Sequence, residues 1–462
     1  MATEQSAARS AASHVAPPAA ASRVPSPPAA SHVPHRWRNL LTLTGVNAVD
    51  STEGNATATL FPSIASSLGL TSGNLGTLAA LGKVAAVPTG PFWVWLAERT
   101  GRRAALVLTT VLGGFFGILA GFAQNFGTLL LFNTLMAACL MGGGPITNAV
   151  IADSFTDRER GKAVGILYGL TNTFAQAIGP VIALFTGLSD GWRYGMWTLG
   201  GVCVLAGLVV AVGFKDPGVG AAEEQLADLN ETARVKHTVT VKSVLSLFRI
   251  PTYSVMMLSR LLSGHLLIAV FGIQFLVVER GFSNAVAAVV MVPYGAGYLV
   301  GTVGGGFLLP FVDRWWTDRG RIAFLQLAQV LFAVVAFIGT QFHYSGGIGI
   351  YCVFWALMGF GQGLNPTVNR PVVTAVVLPE LRGQAFAVWL SVFEVLAWAA
   401  FSLAAGQLAE SLGIQVVFLW VMVILMLVNA AVLGLLHSTY PRDARRIRDA
   451  LEERRRLAGD AA

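Results

Sequence analysis

The chain is short of charge. Of its 462 residues, 12% are Asp, Glu, Lys or Arg, against about 25% in ordinary globular proteins. A set of soluble domains, which length alone would allow, does not fit that scarcity beside 54% hydrophobic residues and a mean hydropathy of +0.64. Cysteine is scarce too. Cys139, Cys203 and Cys352 each fall inside an apolar run and read as small buried hydrophobes, not a disulfide framework. The sequence shows no metal-ligand cluster and no Gly-rich phosphate loop followed by Lys-Ser/Thr, so neither a metal, a cofactor nor nucleotide-driven pumping is supported. It also shows no paired nucleophile and base within a span, so catalysis is not expected. Residues 1–37 are rich in Ala, Ser and Pro and lack an apolar core. They read as a disordered tail, with no signal-peptide apolar region.

What is present is a series of long apolar stretches, six before a charged linker and six after it. They lie near 40–66, 75–97, 104–124, 127–151, 162–188 and 192–214, then 252–278, 285–311, 321–342, 346–376, 383–411 and 414–436. Each is long enough to cross a bilayer, which takes about 20 residues of helix. Without water in the hydrocarbon, backbone groups must bond within the segment, so an all-α membrane protein of twelve helices is expected. The organisation is a tail (1–37), a six-helix bundle (38–214), a linker (215–250), a second six-helix bundle (251–437) and a basic tail (438–462). Of 31 Lys and Arg, Arg193 and Arg280 lie on one side, Lys83, Arg260 and Arg370 lie within spans, and the rest share the other side. That asymmetry puts the Arg-rich side and both termini in the cytoplasm of a multi-pass plasma-membrane protein. The net charge of +7 is therefore a topology signal, and no nucleic-acid partner is expected. The tail Arg442, Arg445, Arg446, Arg448, Arg454, Arg455 and Arg456 reads as a solvated, topology-setting segment, with anionic lipid as its other reading.

The halves echo each other. Pro145-Ile146-Thr147-Asn148 is followed by Arg160-Gly161-Lys162-Ala163, and Pro366-Thr367-Val368-Asn369 by Arg382-Gly383-Gln384-Ala385. Their equivalent positions point to an internal duplication. Between the second and third spans runs Leu96-Ala97-Glu98-Arg99-Thr100-Gly101-Arg102-Arg103, where Gly101 supplies the freedom a tight turn needs.

In this loop the chain resembles the major facilitator superfamily, with Glu98 for the usual Asp and Val94 for the first Gly. Ile151-Ala152-Asp153, Glu159-Arg160-Gly161 and Gly191-Trp192-Arg193 fit the same resemblance, as does the degenerate loop copy Asp313-Arg314 with Asp318-Arg319-Gly320-Arg321. The resemblance spans about 38–437. It implies two pseudo-symmetric six-helix bundles around a central cavity lined by the first, fourth, seventh and tenth helices, with the halves rocking in alternating access. It also implies a cytoplasmic gate of Glu98, Arg99, Gly101, Arg102, Arg103 and Asp153. Within the superfamily, Gly179-Pro180 is similar to the fifth-helix signature of drug–proton antiporters, although Asn133 stands where they carry Arg. The acidic first helix, 313–321 and Val376–Arg382 look similar to spinster-type lysolipid transporters, although Glu53-Gly54 replaces their Asp-Arg.

The charges inside spans complete the expectation. Each costs at least about 2.5–3.5 kcal/mol to bury in hydrocarbon. Asp50 and Glu53, three residues apart, share one helical face, and two carboxylates in a low-dielectric site suit proton coupling. Arg260 and Arg370 could meet an anionic headgroup or those carboxylates, with His265 as a packing residue or proton relay. Lys83 and Glu394 are expected to form an inter-domain salt bridge. Phe92, Trp93 and Trp95 read as interfacial anchors, and Gly142–Gly144 and Gly304–Gly306 as packing devices. The function expected is a monomeric secondary transporter of a small or amphiphilic solute, proton-coupled, with export favoured. Lysolipid transport, solute uptake and a non-transporting membrane sensor on the same fold are the alternatives. Its partners are the solute, protons and membrane lipids.

Overall fold

The computed structural model describes residues 33–70, 72–183, 185, 190–226, 239–282, 284–316 and 319–459. Twelve helical rods follow one another. The first half holds α1 (Arg36–Leu68), α2 (Ser72–Thr100), α3 (Arg102–Gly121), α4 (Phe126–Ser154), α5 (Asp157–Ala183) and α6 (Gly191–Gly213). The second holds α7 (Pro251–Val278), α8 (Asn284–Trp315), α9 (Arg319–Gln341), α10 (Ile348–Ala375), α11 (379–412) and α12 (Ile414–Leu433). Among the described residues, nine of these are apolar and long enough to cross a membrane. A thirteenth helix, α13 (Leu436–Gly459), closes the chain.

Several rods are interrupted where the sequence changes character. In α4 and α10 the break comes just before the two prolines of the repeat, at Met141–Gly142 and Leu364–Asn365, because Pro has no N–H to donate to the preceding turn. In α7 a single turn of tighter helix at Gly264–Leu266 separates two α segments. In α11 a π-turn spans Val388–Phe393 and delivers Glu394 at its end. Such turns cluster where a helix has to aim side chains.

The halves meet along α5 against α8 and α2 against α11. The first contact is possible because Gly306 has no side chain: a Cβ there would lie 2.8 Å from the Gly161 carbonyl oxygen and 2.9 Å from the Lys162 Cα. Close approach at small residues is how membrane helices gain packing without a hydrophobic drive. Gly142 likewise packs against Trp93.

Three expectations need correction. Trp93 is buried and donates its Nε1–H to the Ala138 carbonyl at 2.9 Å, so it is a core residue; Phe92 and Trp95 are exposed. The basic tail is not a solvated strand of charge. It is helix α13, whose Leu436, Tyr440, Ala444 and Leu451 are buried. Arg454 pairs with Glu380 at 3.0 Å, and Asp443 accepts from the Thr252 amide at 2.9 Å. An amphipathic helix with one apolar face must dock it somewhere. Finally, α1 begins at Arg36, inside the expected tail, where Trp37 stacks edge-on against Phe155 at 5.1 Å. The rest of the expected tail, 1–32, and residues 227–238 of the linker lie outside the described residues. So do Asp318 and the side chains of Gly179 and Pro180.

Candidate functional site

Three places bring charged residues together: the face that carries the linker, a cavity in the first half, and a cavity in the second.

At the linker face, Gly101 adopts φ +91° and turns α2 into α3, a conformation that favours glycine. Arg102 then reaches Asp153 at the end of α4, at 2.7 Å. Asp153 is fully buried and also receives Arg382 of the opposite half at 2.9 Å and the Gly220 amide at 3.1 Å. Arg382 continues to the linker residue Glu223 at 2.6 Å, and Glu223 in turn takes Arg160 at 2.5 Å. A second tie between halves joins Arg321 to Asp157 at 2.6 Å. Of the other expected gate residues, Glu98 accepts from Gln384 across the halves at 3.3 Å. Arg99 lies over the Trp95 ring at 4.3 Å, and Arg103 is exposed. Burial acts to raise the Glu223 pKa, but Arg382 and then Arg160 outweigh it and hold it at about 2. The carboxylate therefore stays ionised between its two arginines.

Glu223 is the residue that sequence reading passed over. It sat among several linker acids with nothing to single it out. A signal was available in the repeat. Arg160 donates to the carbonyl eight residues back, at Ala152, and Arg382 does the same at Thr374. The residue after Ala152 is Asp153, whereas the residue after Thr374 is Ala375. The second half lacks the acid, and the linker supplies one.

The first cavity, about 590 Å³, is walled by Asn47, Asp50, Thr57, Lys83, Asn133, Asn148 and Tyr168 from the first half, with Ser391 and Trp398 from α11. Its polar groups are largely paired. Thr57 donates to Asn133 at 2.7 Å, Asn47 to Thr147 at 3.2 Å and Asn148 to Tyr168 at 2.7 Å. Asp50 stands in this wall but turns its oxygens to Thr110 of α3 (3.1 Å) and Cys203 of α6 (3.3 Å). Glu53 lies a turn further along, buried against Gly117 of α3, and among the described residues neither of its oxygens has a hydrogen-bond partner. The two acids do share a face, but that face looks into the first bundle.

The second cavity, about 320 Å³, is lined chiefly by α7, α8, α10 and α11. Here Arg260 pairs with Glu394, and His265 is buried, its Nδ1 without a partner among the described residues. Arg370 is 8% exposed. Its guanidinium lies 3.9 Å from the Tyr168 ring centre and 5.7 Å from that of Trp389, with Asn369 accepting from it at 2.9 Å. The expected Lys83–Glu394 bridge is not formed in this structure. Glu394 takes Arg260 from its own half, while Lys83 lies over the Trp398 ring at 5.6 Å. A guanidinium on the neighbouring α7 outcompetes the longer reach across the halves. Arg260 and Arg370 do not meet Asp50 or Glu53 either. The acids face α3 and α6, while the arginines face the second cavity.

A family model described as Major Facilitator Superfamily matches residues 43–315 and 302–459. The chain is 29% identical over 154 residues to a probable 4-methylmuconolactone transporter of Cupriavidus pinatubonensis, covering 33% of this chain and 36% of that protein. The chain thus spans about a third of that relative's length. It is 25% identical over 319 residues to the 3-(3-hydroxy-phenyl)propionate transporter of Escherichia coli, covering 68% of this chain and 71% of that one. In fold it is similar to the proton:xylose symporter XylE bound to 6-bromo-6-deoxy-D-glucose, with a TM-score of 0.68 at 14% identity, covering 87% of this chain and 95% of that one.

Proposed function

The chain belongs to the Major Facilitator Superfamily, and from that premise we propose that it is a proton-coupled secondary transporter of a small organic solute, working by alternating access as a single chain. The observation that carries the proposal is one cavity in each half, each with part of its wall from the other half, and ion pairs joining the halves at the linker face. Ties at one end and cavities further along the rods are the geometry of a carrier closed towards the linker. Breaking the Asp153–Arg382–Glu223 cluster would let the halves rock the other way. With the linker and termini in the cytoplasm, as the arginine distribution argues, this state faces outward from the plasma membrane.

Asp50 and Glu53 are the proposed proton carriers. An ionised carboxylate at Glu53 would find no donor, and a charge left unpaired in a dry site is costly. A group so placed can exchange a proton as its surroundings open and close. The relatives named for 4-methylmuconolactone and 3-(3-hydroxy-phenyl)propionate support a small organic solute over a long-chain lipid. Outward movement of the solute rests on Gly179-Pro180, and the sign of flux decides it. The test is purified protein in liposomes under an imposed pH gradient, with a panel of small organic solutes. Flux that follows the gradient and falls in Asp50→Asn and Glu53→Gln is the expected result. Gradient-driven flux unchanged in both variants overturns the coupling assignment. Absence of any flux favours the membrane-sensor reading.

A further inference from the structure

We propose that the second cavity is an anion site: Arg370 takes the carboxylate of a small organic acid whose flat apolar body lies among Tyr168, Trp389 and Tyr294. This deepens the transporter reading and rests on it for its biological meaning, though not for its geometry.

Three observations converge on Arg370. It is a cation more than nine-tenths buried in the wall of a cavity. Among the described residues, no carboxylate pairs with it, and its Nε–H has no acceptor. Its recorded partners are one side-chain amide and two ring faces. A guanidinium presents five N–H donors in a planar fork, and one neutral acceptor leaves most of that capacity for something else. Holding such a group in the membrane without a carboxylate bonded to it is expensive. A carboxylate, which accepts two parallel bonds from the fork, removes that cost.

The charge balance around the cavity agrees. Glu394 is held by Arg260, and both Arg370 and Lys83 lie within its electrostatic reach. One acid therefore serves three cations, and Asp50 and Glu53 face α3 and α6 instead. The cavity wall is also rich in unused donors. Among the described residues, the buried Nε–H of Arg260 and Nε1–H of Trp389 have no acceptor either. Donors gathered without acceptors describe an empty anion site better than a packed core, where buried polar groups are satisfied.

The remainder of the wall sets the rest of the ligand. Tyr168, Trp389, Tyr294 and Tyr298 give flat apolar surface next to the charge. At about 320 Å³ the space is at the lower end of ligand pockets, roughly 300–1,000 Å³. That suits a compact acid and not an acyl chain. Tyr168 belongs to both cavities and comes from the opposite half. A ligand on Arg370 therefore touches both halves, which binding must do if it is to bias their rocking.

The experiment is equilibrium dialysis of the purified full chain in detergent with radiolabelled benzoate. Benzamide, benzenesulfonate, cyclohexanecarboxylate and lysophosphatidylglycerol serve as competitors. Saturable benzoate binding, displaced by the two other small anions and not by benzamide, is expected. Arg370→Gln should weaken it by roughly tenfold or more, and Arg370→Lys, which keeps the charge and loses the fork, by a smaller factor. Size-exclusion profiles establish that each variant is folded, and the lysine variant carries the test if the glutamine variant is not. Equal competition by benzamide overturns the proposal, as does full-strength binding in a folded Arg370→Gln. Displacement of benzoate by lysophosphatidylglycerol alone assigns the site to a lipid phosphate and overturns the small-acid assignment. Binding of benzoate without flux in liposomes keeps the site and sinks the transport reading. Flux of a neutral solute with no anion bound does the reverse.

Discussion

Helices α4 and α10 begin alike and end differently. Each breaks before a proline, Pro145 or Pro366, and each carries an asparagine three residues on. Each is followed by an arginine that folds back onto a carbonyl eight residues earlier. From there they part. After Asn148 comes Ala149, and after Asn369 comes Arg370. Seven residues before the arginine stands Asp153 in the first copy and Ala375 in the second. The first half thus keeps its acid at the linker face, where Arg102, Arg382 and the Gly220 amide satisfy it. The second half places a cation in the wall of a cavity, and a linker acid pairs with its arginine. The frame repeats, and at two positions the copies differ: the first keeps an acid at the linker face, and the second sets an arginine beside the second cavity.

The comparison can be broken at its strongest point first. Arg382→Ala takes one arginine from each of two acids, Asp153 and Glu223, which keep Arg102 and Arg160, and should cost about 3 kcal/mol, the upper worth of hydrogen bonds between charged groups. Arg160→Ala, which leaves Asp153 untouched and Glu223 still on Arg382, should cost less. Thermal unfolding of both variants in one detergent ranks them; equal or reversed costs would mean the latch is not centred on Arg382. Next comes restoration of the missing acid. Glu223→Gln should lose about 1.5–3 kcal/mol, the worth of hydrogen bonds to a charged group. Adding Ala375→Asp to it should return much of that loss. If the double variant is no more stable than the single one, the linker acid is not a stand-in for an acid of the second half.

Within the second cavity, Arg260→Gln leaves Glu394 without its direct partner. The expected loss is about 1–3 kcal/mol, below the dry-pair figure because the carboxylate meets the cavity. Lys83→Gln, which gives up a ring contact, should cost under about 1 kcal/mol. A larger loss in Lys83→Gln would revive a bridge across the halves. The smallest effect is in pH. The folded pKa of Glu223 is about 2, below the unfolded value of about 4.3. Its contribution is therefore present above the unfolded value and lost as pH falls towards 2. The gap in unfolding temperature between the native chain and Glu223→Gln should be full at pH 7 and narrower at pH 3. A gap that does not narrow would argue against an ionised Glu223 in the latch.

The rods themselves were open to reading because each is written in contiguous residues: an apolar run of fixed length, ended by charge or glycine, is a local property. The turn at Gly101 and its neighbour Arg102 were visible for the same reason. Pairings were not. Lys83 and Glu394 sit at matching depths, but depth along a rod says nothing of its rotation or of the rival Arg260 on the adjacent helix. Spacing put Asp50 and Glu53 on one face and could not say which way that face turned. Trp93 next to Phe92 and Trp95 looked interfacial until the fold gave its ring the Ala138 carbonyl.

Hydrophobic length, the bias of arginine to one side and the echo between halves determined a twelve-helix membrane protein from composition and order alone, since burial in lipid constrains every residue of a span in the same way. Helix rotation, the breaks in α4, α7, α10 and α11, and the competition among neighbours for each buried charge arise only when the rods pack. Electrostatic and hydrogen-bond partners lie within a few ångströms in space and often more than a hundred residues apart in sequence. That is why the Asp153–Arg382–Glu223 latch and the unpaired Arg370 belong to the tertiary structure.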